Sequence, residues 1–130
     1  MKQLISLIFC IALSSTVNAS GPERAKDKQA QELAECTAFY LLSVQVVKQN
    51  GASDLAILLA QSATMAVRLS QFISSKEVLQ TRVAMAVDNQ KKMINNDFSN
   101  ISILLSKYKD SCRAAIEDPQ NRYKHWLNKQ

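Results

Sequence analysis

The chain has 130 residues, a formal net charge of +5, 6% aromatic residues, 2 glycines, 2 prolines, 3 cysteines and a single histidine. So few turn-forming residues exclude an all-β fold, which needs many tight turns. The basic residues are spread along the chain instead of forming a concentrated stripe with exposed aromatics, which argues against nucleic-acid binding.

The first residues have the three parts of an export signal. Lys2 supplies a positive start, residues 4–13 form a continuous apolar run, and residues 14–19 are small and polar, with Val17 and Ala19 suited to the −3 and −1 positions of a cut before Ser20. Residues 1–19 therefore read as a cleavable secretory signal. The run is too short for an anchor, since a membrane-spanning helix needs about 20 apolar residues. Cys10 follows the bulky Phe9, which does not suit a lipoprotein signal, and it is lost on cleavage. The expected mature chain is exported to the periplasm or secreted, has no transmembrane segment, and keeps Cys36 and Cys112. An even pair in an oxidising compartment predicts a disulfide.

Apolar spacing in the remainder is helical. Segment one runs from Pro22 to the stop signal Asn50-Gly51, with a core stripe at Leu33, Cys36, Tyr40, Val44 and Val47. Segment two starts at Ser53-Asp54, Ser53 acting as cap, with Leu55, Leu58, Ser62, Met65, Ala66, Leu69, Phe72 and Ile73 expected to face inward. Ser74 and Glu77 read as a capping box opening segment three, whose inward face is Leu79, Val83, Ala86, Gln90, Met93 and Ile94. The poor helix formers Asn95-Asn96-Asp97 interrupt. Segment four carries Ile101, Leu104, Leu105, Tyr108, Cys112, Ala115 and Ile116, and Asp118-Pro119 ends it.

The cysteines decide how many turns are real. With turns near 51, 74 and 96, residue 112 descends level with residue 36. Fusing segments two and three would separate the two cysteines by roughly 20 Å along the axis, whereas bridged Cα atoms lie within about 7 Å. The expected fold is an all-α, up-and-down four-helix bundle over residues 20–118, closed by a Cys36–Cys112 bridge between first and last helices. Residues 119–130 are expected to be an aromatic and basic tail.

No catalytic or cofactor constellation stands out. The chain has no Cys-x-x-Cys-His for c-type haem, no Glu-x-x-His pair for di-iron, no Gly-x-Ser-x-Gly elbow, no His-Glu-x-x-His and no glycine-rich phosphate loop. A b-type haem site would have to pair His125 with Met65, Met85 or Met93, which read instead as a surface residue and core filler. Glu32, Glu35, Asp54, Asp88, Asp97 and Asp110 read as solvated helix surface. The sequence thus predicts a non-enzymatic interaction module for a protein of the cell envelope, with no metal and no cofactor. Its candidate surface is Phe39, Tyr123, Trp126 and Leu127, where a helical turn in the tail would gather aromatics ringed by Arg122, Lys124 and Lys129. The alternatives for the tail and for the aromatics around the cysteines are packing onto the bundle and a pocket between helices one and four. The alternative function is a carrier of an apolar small molecule or haem in the bundle core.

Overall fold

Ser20 opens the first helix. Its hydroxyl accepts the Glu23 N–H at 3.4 Å, and Pro22 takes a first-turn position where a missing N–H costs nothing. The computed structural model describes residues 20–130, so the expected export signal and its cleavage site at residues 1–19 lie outside the described residues. Helix α1 (Gly21–Gln49) ends at Asn50, and Gly51 reverses the chain at φ 75°, a left-handed geometry that disfavours a Cβ.

Between Gln29 and Ser43, α1 is buried on nearly every side, and each of the other four helices packs on it. Small Ala30, Ala34 and Ala38 let neighbours come close around the shaft, beside larger Leu33, Phe39 and Leu42. The buried polar residues of α1, Gln29, Glu32, Thr37 and Ser43, each have a hydrogen-bond partner, as enclosure requires. The bundle is therefore organised around one central helix.

Helix α2 (Ser53–Gln71) starts without a side-chain cap; the residue ahead of it is Ala52, and the cap expected at Ser53 does not form. Helix α3 (Lys76–Met93) is capped by Ser75, whose hydroxyl accepts the Val78 N–H at 3.2 Å, one residue later than the capping box placed it. The Asn95-Asn96-Asp97 break is real. Asn95 and Asn96 both adopt φ 54°, and Asp97 caps a 3₁₀ turn (Phe98–Asn100) by accepting the Ser99 N–H at 2.9 Å. Helix α4 (Ser102–Glu117) follows.

Two pairs of contacts fix directions. Arg82 reaches Asp27, and Gln90 Nε2 donates to the Glu35 carbonyl at 2.8 Å; both span 55 residues, so α3 runs parallel to α1. Cys36 and Cys112 form a disulfide with Cα atoms 5.3 Å apart. Seven residues back along α1 and seven beyond Cys112, Gln29 Nε2 donates to the Pro119 carbonyl at 2.9 Å, so α4 and its continuation run antiparallel to α1.

The structure corrects the four-helix count. The described residues form five α-helices and no strand, because residues 119–130 are not a loose tail. Pro119 ends α4, since its ring cannot continue the helix, and Asp118 caps a new one by accepting the Asn121 N–H at 3.1 Å. Helix α5 (Pro119–Asn128) then lies along the N-terminal half of α1.

The inward face of α3 holds as read from the spacing, and that of α4 holds except at Leu105, which is 41% exposed. That of α2 holds only in part. Ala66 is buried and Leu69 and Ile73 pack beside it, but Leu55, Leu58, Met65 and Phe72 are exposed, and the other buried positions are Ala56, Ala63 and Ser70. The close contact of α2 with α1 takes small residues, which turns the larger side chains of the expected stripe outward. No helix among the described residues is long and apolar enough to cross a membrane.

Candidate functional site

A groove of about 480 Å³ opens between the C-terminal half of α1, the first half of α2 and α4. It follows from the lie of α4 on α1. Ile101, Leu105, Lys109 and Arg113 recur every fourth residue and make one ridge, and Ile116 and Glu117 extend it. From Ile101 to Glu117 the ridge is about 24 Å long. Opposite it stand Phe39, Tyr40, Ser43, Val46 and Val47 of α1 and Leu55, Leu59 and Ser62 of α2.

The antiparallel register separates the groove into two ends. Val47 and Leu55 flank the turn at Gly51, and Ile101 comes level with them, so that end is apolar. Toward the disulfide, Tyr40 and Ser62 meet Lys109, Arg113 and Glu117. Burial, and secondarily the charge of Glu117, raises the phenol pKa of Tyr40, with Arg113 opposing. Tyr40 thus stays a neutral hydroxyl at the charged end. A space of this size, apolar along most of its length and charged at one end, can receive a small amphiphile.

Beneath the groove lies the disulfide core. Cys36, Cys112, Phe39, Tyr40, Leu42, Ile94, Leu104 and Tyr108 form one cluster. Phe39 packs on Tyr40 and Tyr108 with ring centroids 5.2 and 5.9 Å away. The Tyr108 hydroxyl lies 3.9 Å from Met93 Sδ, and burial, then the Glu35 charge, raises its pKa. Both sequence readings of these aromatics meet here: they pack around the bridge, and two of them also form a pocket wall.

A second, polar cleft lies between α1, α4 and α5 and centres on Glu32. Glu32 is buried to 8% exposure, not solvated as its charge suggested. Arg122 Nε donates to both its carboxylate oxygens, at 3.0 and 2.8 Å, and Nη2 also binds Oε1. Trp126 Nε1 donates to Oε2 at 2.9 Å. The bonds from Arg122 to Glu32, and then the Glu32 charge, raise the Arg122 pKa against the opposing effect of burial. Arg122 and Lys129 also lie over the Trp126 ring at 5.6 and 5.5 Å from its centroid. The arrangement is that of a clamp holding α5 to α1: the carboxylate is saturated by donors of its own chain.

The four residues grouped as one interaction surface are therefore divided. Phe39, 2% exposed, belongs to the core and the groove wall. Trp126 faces Glu32, Leu127 comes within 4.0 Å of where a Cβ on Gly21 would stand, and Tyr123 lines a shallow cleft with Lys26 and Ile73. All three α5 residues are half-buried. The haem candidates are likewise dispersed: His125 stands edge-on to Trp126, Met93 contacts Tyr108, and Met65 and Met85 are exposed. Among the described residues no group of three or more His, Cys, Asp or Glu could hold a metal ion.

Sequence reasoning placed Glu32 on the solvated surface and Arg122 beside the tail aromatics, and it passed over Lys109 and Arg113 altogether. A signal existed for the first: Glu32 is one turn before Cys36, on the same buried stripe. For the last two, the repeat of four linking them to Ile101 and Leu105 was the clue. The chain matches no protein-family model, no curated protein sequence and no solved structure.

Proposed function

We propose that this is an exported, non-enzymatic binding protein whose groove takes the apolar chain of a small amphiphile and sets its anionic head against Lys109 and Arg113. The observation that carries this reading is the segregation of the groove. It is apolar from Val47, Leu55 and Ile101 to Leu59 and Leu105, with its two cations Lys109 and Arg113 gathered at the other end beside Glu117. Arg113 also pairs with Asp110 on the surface. A chain withdrawn from water onto such walls gains roughly 25 cal/mol per Å² of apolar area. The head group contributes less but fixes direction, since exposed ion pairs are worth about 1 kcal/mol or less. Of the two functions read from the sequence, this favours the apolar-ligand carrier. The protein-docking reading rests on Phe39, Tyr123, Trp126 and Leu127, of which Phe39 serves the core and Trp126 the α5 clamp. Export is supported by the Cys36–Cys112 bridge, which persists in an oxidising compartment.

The test is titration with hexadecanoate and with hexadecanol, each competing against a fluorescent anionic apolar dye. Hexadecanoate should displace the dye at lower concentration than the alcohol, and Lys109→Glu with Arg113→Glu should abolish that preference. A protein that binds neither lipid nor dye would sink the proposal.

A further inference from the structure

The outward face of α2 has a pattern that neither the core nor the groove uses. Asp54, Leu58, Gln61, Met65, Arg68 and Phe72 recur at alternating steps of four and three, the spacing of a helix–helix seam. Leu58, Met65 and Phe72 are 59%, 42% and 86% exposed, and Ile57 beside them is 57% exposed. Single exposed apolar residues are ordinary; a stripe of them along one helix marks a contact surface.

The charges say which contact. Asp54 and Arg68 are the only charged residues of α2, both are exposed, and neither takes part in an ion pair among the described residues. They stand on the seam itself, seven residues to either side of Gln61. We infer that α2 pairs antiparallel with α2 of a second copy, about a two-fold axis passing at Gln61. That rotation sets Asp54 against the partner's Arg68 and Arg68 against the partner's Asp54, giving two identical ion pairs. It also lays Ile57 and Leu58 on the partner's Met65. A parallel pair would oppose like charges at both ends. The symmetry of the charges about one residue is what a self-complementary, isologous interface requires, and an unrelated partner helix would have no need of it. Leu55, Leu59 and Ser62 lie on the groove side of α2, so the inference does not depend on the groove's ligand.

Sedimentation equilibrium of the purified, oxidised protein should show a reversible dimer. Met65→Lys should weaken it at least tenfold with an unchanged far-UV circular dichroism spectrum. Asp54→Arg should weaken it by about tenfold, and Asp54→Arg combined with Arg68→Asp should restore it. Gln61→Cys should link two chains under mild oxidation, while Thr81→Cys on α3 should not. A monomer at every concentration into the millimolar range overturns the inference, as does a dimer indifferent to Met65→Lys. Loss in the single charge variant without recovery in the double variant overturns the antiparallel arrangement. If Met65→Lys does not fold, failure of Gln61→Cys to cross-link decides against the pairing.

Discussion

Trp126 donates its indole N–H to Glu32 Oε2 at 2.9 Å, across 94 residues of sequence. The bond joins the final helix to the central one, and Arg122 completes it by gripping the same carboxylate. Side-chain exposures of 17% for Arg122 and 10% for Glu32 put this ion pair where removing one partner strands the other in a dry setting.

Glu32→Ala should therefore destabilise the protein by about 3 kcal/mol, the range seen when one half of a buried pair is deleted. Trp126 is the only tryptophan, so its fluorescence reports on α5 directly. Denaturant titration should show the stability loss, and the emission of the native variant should shift to the red as the indole gains water. A variant with wild-type emission and midpoint would show that α5 is held by apolar contact alone.

Reduction of the Cys36–Cys112 bridge, which spans 76 residues of sequence, releases a long loop in the unfolded chain. The chain-entropy relation puts the effect at up to ~4.5 kcal/mol. Guanidinium unfolding with and without dithiothreitol measures it, and the reduced protein should unfold at much lower denaturant. Equal midpoints would mean the bridge contributes nothing.

Asn95 and Asn96 both sit in the left-handed region. Asparagine tolerates it better than most residues, and glycine better still. Asn96→Gly should leave stability equal or slightly higher, whereas Asn96→Val should cost roughly 1–2 kcal/mol through Cβ strain. Thermal melts of the two variants give opposite signs if the backbone geometry is the cause.

His125 has its pKa lowered, first by burial and then by the charges of Arg122 and Lys129, with Glu32 opposing. A group harder to protonate when folded takes its proton first in the unfolded chain. Its contribution to stability is thus complete above the ordinary histidine range near 6.5 and is lost as pH falls through that value toward the lower folded pKa. The ring is half-exposed, so solvent screening keeps the change small. NMR titration of the His125 ring should give a midpoint below 6.5, moving upward in Lys129→Gln. A midpoint above 6.5 would contradict the structure.

Ser62 lines the groove, half-buried, and its hydroxyl bonds only to the Leu58 carbonyl of its own helix, at 3.2 Å. Ser62→Trp should fill the charged end of the groove with little change in melting temperature and should block dye binding. Undiminished binding would place the dye elsewhere.

Much of the architecture was legible in the chain. The helical periods and the stops at Gly51 and Asn95-Asn96-Asp97 are local signals. The pairing of Cys36 with Cys112, 76 residues apart, followed from their being the only two cysteines after residue 19. Strong breakers sit where the helices end, and one covalent link fixes the register of two of them. The inward faces of α3 and, apart from Leu105, of α4 followed from side-chain spacing, since a surface helix needs only one apolar stripe. For α1 the stripe is buried or half-buried, but spacing did not reveal that the helix is enclosed on its other faces too. For α2 it erred at Leu55, Leu58, Met65 and Phe72, which turn outward because alanines fit the close contact.

What the sequence by itself determined is therefore an all-helical chain with its turns and its bridge placed. Only the tertiary structure decided that α1 is the centre, that Pro119–Asn128 form a fifth helix clamped through Glu32, and that Lys109 and Arg113 share a groove with Val47 and Leu55. Each of these depends on which face of one helix meets which face of another. Such a choice is made by packing volume and by the satisfaction of buried charge, and neither is written in the spacing of apolar residues along a single helix.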